Sequence, residues 1–112
     1  MSKVVISNQF VGTDSGHACL DDVPVDREKR GFIKIDVDGA ELDVLQSGES
    51  LLSSDRIDLL VETHSQKLEC ACERLLTGFG YRVRVVKNGW YRAVIPELRP
   101  TQHNRWLWAT HV

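Results

Sequence analysis

The stretch that most constrains the fold of this chain is residues 32–41, Phe-Ile-Lys-Ile-Asp-Val-Asp-Gly-Ala-Glu. An apolar run ends here in acidic residues and a glycine, and apolar residues at helical spacing follow at once. In open α/β sheets, the carboxyl ends of parallel strands carry the side chains that meet ligands. The stretch therefore predicts a strand followed by a helix, with Asp36 and Asp38 at the ligand-binding edge of a sheet.

The remaining pattern predicts an α/β chain with the element order β-β-α-β-α-β-β. Strands are predicted at residues 3–7, 32–37, 57–62, 81–86 and 105–111, with weaker strand patterns at 17–20 and 90–95. Helices are predicted at 39–53 and 68–79, the first with Asp38 as its N-cap and Glu41 completing a capping box. Because strand–helix–strand units are parallel in nearly all sheets, we expect a mostly parallel sheet with two crossover helices and an antiparallel C-terminal hairpin.

Polar side chains follow the two central strands of this predicted sheet. Two consecutive crossover units put the ends of both strands at one edge, so Asp36, Asp38, Glu62 and His64 are expected to converge there. Asp36 is placed to act as a base or a hydrogen-bond acceptor, and Glu62 with His64 as an acid/base pair. Two alternatives remain open: helix capping by Asp38, and plain polar strand ends satisfied by loop amides or water.

No metal site is predicted. The carboxylates of Asp36 and Glu62 and the imidazole of His64 suit several divalent ions, but no H-x-x-x-H or C-x-x-C spacing supports such a site. Cys70 and Cys72 lie two residues apart on a predicted helix and face apart, which argues against joint ligation of zinc.

Length and charge restrict the organisation and partners of the chain. Its 112 residues predict one domain, with an N-terminal strand and irregular segment at 1–31 and an α/β core at 32–112. A formal net charge of -2 provides no basic field for nucleic acid or an acidic membrane. No apolar run approaches the roughly 20 residues that span a bilayer. Three cysteines, an odd number, fit reduced thiols in a cytoplasm.

Four short, separated motifs of the sequence resemble those of the FkbM-type methyltransferases, which use S-adenosylmethionine (SAM). They are Leu-Asp-Asp-Val at 20–23, Ile-Lys-Ile-Asp-Val-Asp-Gly-Ala-Glu at 33–41, Asp-Leu-Leu-Val-Glu-Thr-His at 58–64 and Gly-Tyr at 80–81. The resemblance implies a Rossmann-like fold, O-methyltransferase activity and SAM as the cofactor. It makes Asp36, Glu62 and His64 the candidate catalytic residues, and Asp38 and Gly39 the candidates for contact with the cofactor.

The chain departs from this family upstream of residue 32. Complete enzymes of the class carry a strand with a glycine-rich turn there, together with an acidic residue for the ribose hydroxyls. The 31 residues that precede the signature strand contain Gly12 and Gly16 but no G-x-G run. We therefore expect a truncated fold that lacks the glycine-rich half, with weak or no SAM binding and weak or no activity alone.

The same departure leaves a second function open, namely a non-catalytic module that binds a partner or assembles with itself. The strand at 32–37 would lack a neighbour on one side, and an apolar edge of this kind invites pairing. We expect a homodimer, or association with a chain that supplies the missing half.

Overall fold

The structure, a computed structural model, describes residues 9–26, 28–54, 56–87 and 105–111. Its elements in chain order are a 3₁₀ helix (Leu20–Asp22), β1 (Gly31–Ile35), α1 (Glu41–Gln46), α2 (Glu49–Leu52), β2 (Ile57–Thr63), α3 (Gln66–Gly78), β3 (Tyr81–Lys87) and β4 (Arg105–His111). The strands predicted at 3–7 and 90–95 lie outside the described residues.

The described strands form one four-stranded sheet in the order β1-β2-β4-β3. β1 and β2 are parallel, with Ile35 opposite Val61, whereas β4 is antiparallel to both of its neighbours. The prediction of a mostly parallel sheet is therefore wrong, because one strand pairing is parallel and two are antiparallel. The antiparallel pairing of β3 with β4 is as predicted. The sheet is mixed because β4 lies between β2 and β3. The hydrophobic pattern of a sequence locates its strands but does not specify which strands pair with one another.

The hydrophobic core lies between one face of the sheet and the three helices. Alternate residues of β2 point into it, which gives the strand a strictly alternating burial pattern. The fully buried side chains on the two sides are Leu59, Val61, Leu107 and Ala109 from the sheet and Leu45, Leu52, Cys72 and Leu76 from the helices. Burying one large apolar side chain contributes about 1.5–3 kcal/mol, so this layer holds the elements of the site in place.

The opposite face of the sheet is only partly covered. Phe32 is 56% exposed and lies 5.8 Å from the ring of Trp108, measured between ring centroids. Lys34 lies over the ring of Trp106. Trp106 and Trp108 therefore lie on this partly covered face, and β1 is buried on one side only.

The predicted helix at 39–53 is two short helices, α1 and α2, separated at Ser47 and Gly48. A Cβ atom at position 48 would lie 2.6 Å from Cδ2 of Leu20, so glycine allows the 3₁₀ helix to pack against the break. The predicted cap is also wrong. Ala40 occupies the N-cap position of α1, and the side chain of Asp38 is 98% exposed.

The described part of the segment before β1, residues 9–26 and 28–30, is mostly irregular, as predicted, but the weak strand pattern at 17–20 is not a strand. Val11 and Ala18 form an isolated bridge, and the 3₁₀ helix follows it. Leu20 is buried in the core, so this segment covers the break between α1 and α2. No helix in the described part of the chain has the length and apolar character needed to cross a bilayer.

Candidate functional site

The site lies where β1 and β2 end side by side. Asp36 directly follows β1, while Glu62 and His64 stand at the end of β2 and just beyond it. Because the two strands are parallel and in register, these residues reach the same edge of the sheet. Oδ1 of Asp36 lies 4.0 Å from Nε2 of His64. The predicted convergence of the two residues is confirmed.

His64 lies between two carboxylates, one on each ring nitrogen. Nδ1 is 2.6 Å from Oε1 of Glu41, and Nε2 is 3.2 Å from Oδ1 of Asp38. Glu41 has no exposed surface, whereas His64 retains 25% exposure of its side chain. Two acceptors around one imidazole favour the protonated ring, because only imidazolium has a hydrogen to donate at both nitrogens.

The surroundings of His64 raise its pKa above the ordinary 6.5. Burial by itself lowers this pKa, since it disfavours the charged ring. Burial is the largest single influence, but the hydrogen bond and charge of Glu41 together with the charges of Glu62 and Asp38 outweigh it. The ring therefore keeps its proton to a higher pH than an isolated histidine does.

The pKa of Glu62 is also raised. Burial is the main cause, followed by a hydrogen bond to Asp36 and the negative charge of that residue, while His64 and Lys34 act in the opposite direction. Two carboxyl groups in contact cannot both ionise easily, so the pair holds a proton above the usual range of a glutamate. The edge thus contains two neighbouring groups, Glu62 and His64, whose pKa values are both raised.

Asp36, Glu62 and His64 also present donor atoms that lie within 4.8 Å of one another. Such a set has the chemistry that a divalent ion needs. Exposed acidic groups commonly approach this closely without an ion, so the spacing alone is no ground for assigning a metal, and we assign none.

The two residues predicted to contact a cofactor, Asp38 and Gly39, form the open rim of the site. Gly39 has φ of +90°, and no described atom lies within 4 Å of the position where its Cβ would be. This backbone conformation favours glycine at the turn from β1 into α1. The rim therefore leaves open space beside the carboxylates.

The sequence interpretation missed the role of Glu41, which it assigned to a capping box. The side chain does accept a hydrogen bond from the backbone N–H of Gly39, at 3.1 Å, and the same oxygen contacts His64. Among the described residues, its second oxygen has no hydrogen-bond partner. The sequence did contain a signal that Glu41 is buried. Position 41 is three and four residues before Val44 and Leu45, so it lies on the same buried face of α1.

The charge of Glu41 also affects the pKa of Cys72, which lies on α3. Burial raises the pKa of the Cys72 thiol to about 12, and the negative charge of Glu41 acts in the same direction. Cys72, which is fully buried on α3, is therefore a neutral core residue.

Comparison with known families agrees with the family resemblance of the four sequence motifs. The family model described as the Methyltransferase FkbM domain matches residues 7–83, more than half of the chain. The match spans β1, α1, α2, β2 and α3, and with them all five candidate site residues. No curated protein and no solved structure matches the chain. The chain belongs to the FkbM methyltransferase domain family.

Proposed function

We propose that this chain is the acceptor-side part of a SAM-dependent O-methyltransferase of Rossmann-like architecture. The observation that carries the proposal is the position of His64, held between Glu41 and Asp38 at the edge where β1 and β2 end. β1, β2 and β3 all run in the same direction, and helices connect β1 to β2 and β2 to β3. Strands that run in one direction and are joined by helices are typical of a Rossmann-like sheet, so this arrangement supports the proposed architecture.

In this proposal, His64 removes the proton of the acceptor hydroxyl. Methylation of a hydroxyl requires that this proton leaves, and a positioned imidazole is the usual group that takes it near neutral pH. The ring is neutral only above its raised pKa; Nδ1–H is then donated to Glu41, and Nε2, which faces the open rim, is the basic atom. Asp36, with 51% of its side chain exposed, is placed to accept a hydrogen bond from the acceptor.

The proton then has a second acceptor nearby. Glu62 lies against Asp36, and the pair takes up a proton more readily than a separate carboxylate does. Glu62 therefore assists His64 in passing the proton from the acceptor to solvent. This assignment keeps the roles of Asp36, Glu62 and His64 that the sequence predicts.

The residues present fit only a part of the cofactor. The carboxylates of Asp36 and Asp38 suit the positive sulfonium of SAM, and Gly39 leaves space beside them. The 112 residues contain no glycine-rich turn between an apolar strand and a helix, the feature through which the backbone approaches such nucleosides. The remaining contacts to the cofactor are therefore expected to come from outside these 112 residues.

Calorimetric titration of SAM into the purified chain tests this proposal. We expect weak heats without saturation in the low micromolar range. A dissociation constant in that range would overturn the acceptor-side assignment, because the chain would then hold a complete cofactor site. Binding too weak to detect even at millimolar SAM agrees with the acceptor-side assignment, because these 112 residues contain no glycine-rich turn to hold the rest of the cofactor.

A further inference from the structure

We propose that Glu41 is a positioning residue, whose buried carboxylate fixes the ring of His64 and its tautomer. The catalytic meaning of this role rests on the proposed function, because the ring then presents Nε2 to the acceptor hydroxyl. The contact itself is a property of the folded chain and can be measured without cofactor or acceptor.

The geometry places Glu41 at a junction of three structural parts. It is the first residue of α1, its Oε1 accepts from the backbone N–H of Gly39 at 3.1 Å, and the same atom is 2.6 Å from Nδ1 of His64. One oxygen thus connects the turn after β1, the start of α1 and the residue after β2. A ring held this way cannot turn without breaking the contact, so its orientation is set before an acceptor binds.

This contact also selects the tautomer of His64. When the ring is neutral, one nitrogen keeps the hydrogen and the other has a free lone pair. The carboxylate of Glu41 only accepts hydrogen bonds when ionised, so the hydrogen remains on Nδ1. Nε2, which faces the exposed Asp38 and Asp36, is left as the basic atom.

Glu41 differs from the other charged groups around His64 in its burial. The ring faces Asp36 and Asp38 from the turn after β1, Glu62 from β2 and Glu41 from α1, while the nearby thiol of Cys72 on α3 is neutral. Asp38 is 98% exposed, so water and salt screen its charge. The charge of Glu41 lies in a medium of lower dielectric constant and acts more strongly on the ring.

Nuclear magnetic resonance of the imidazole nitrogens tests the proposal on the unliganded chain. In the wild type we expect the Nδ1–H tautomer at high pH and a titration midpoint above 6.5 for His64. Glu41→Gln keeps the size of the side chain and removes its charge. Asp38→Asn makes the same change at the other ring nitrogen and is the matched control. We expect Glu41→Gln to move the midpoint to lower pH by more than Asp38→Asn does.

Either of two results would overturn the role of Glu41: an Nε2–H tautomer in the wild type, or a larger shift of the midpoint in Asp38→Asn. If Glu41→Gln does not fold, the wild-type tautomer alone decides. A fixed Nδ1–H tautomer in a chain that binds SAM with low-micromolar affinity would leave the positioning of His64 intact while overturning the acceptor-side assignment. The two failures are therefore distinguishable.

Discussion

At the scale of single residues, the negative charge of Glu62 beside Asp36 weakens the fold at neutral pH. The pKa of Glu62 is raised in the folded chain, mainly by burial and then by Asp36. A group whose pKa is raised by folding stabilises the folded state below its unfolded pKa, and this contribution is lost as the pH rises through the folded value. For Glu62 the loss begins above about pH 4.5, and for His64 above about pH 6.5.

Replacing Glu62 with glutamine should therefore raise the melting temperature at pH 7. The variant keeps a hydrogen-bonding side chain and removes the repulsion with Asp36, and its advantage should disappear near pH 4, where the wild-type carboxyl is protonated. Thermal unfolding at the two pH values measures this. Asp58→Asn is the control, because Asp58 pairs with Arg30 at 3.1 Å and its loss should not stabilise. A lower melting temperature for Glu62→Gln at pH 7 would contradict the account.

Gly39→Val should destabilise the chain more than Asp38→Asn. Valine at φ of +90° is strained even though the space around the position is open, at a cost of about 1–2 kcal/mol or more. Asp38 is almost fully exposed and does not cap α1, so its replacement should have little effect on the free energy of unfolding. Chemical denaturation measures both variants, and equal losses would contradict the strained turn.

At the scale of elements, the 3₁₀ helix provides a cap for α2 from a distant part of the chain. The carboxylate of Asp21 accepts from the backbone N–H groups of Leu51, at 2.7 Å, and Ser50, at 3.2 Å. These amides belong to the first turn of α2 and have no partner within the helix. The Leu-Asp-Asp motif at 20–22, which resembles the family, therefore has a structural role in this chain, because it caps α2.

Asp21→Ala should lower the free energy of unfolding by about 1 kcal/mol, the usual loss when an N-cap is removed. Asp22→Ala is the matched control, because this neighbouring side chain is exposed. Urea denaturation of both variants measures the difference. If the two variants lose the same free energy, the contact between Asp21 and α2 does not stabilise the fold.

The elements also show what sequence patterns can and cannot predict. β2 and α3 were predictable because each buries one face, and the resulting period is visible in the sequence. The insertion of β4 depends on partners far away in the chain, which no local period encodes. In the site, Asp36 and His64 were predictable from parallel strand ends, whereas Glu41 was missed because a capping role explained the same spacing.

At the scale of the whole molecule, the exposed side of β1 is the surface most suited to self-association. β1 is an edge strand of the described sheet, and Phe32 exposes 56% of its surface beside Trp108. Lys34 is the only charged side chain on the strand, which is a weak protection against pairing.

We therefore predict a two-fold dimer. Light scattering at tens of micromolar should give about twice the monomer mass of 12.7 kDa, and Phe32→Lys should shift the protein towards the monomer. Val85→Lys, at an exposed position on β3, is the control and should leave the dimer intact. A wild-type mass near 12.7 kDa would contradict the prediction.

In the proposed function, the edge where β1 and β2 end faces the cofactor and the acceptor. Mapping the backbone amide signals of the labelled chain during a titration with SAM tests this placement. The account predicts that excess SAM shifts the signals of residues 36–39 and of His64, while those of the outward-facing Cys70 and Glu73 on α3 stay unchanged. Shifts that are largest on α3 would contradict this placement of the site.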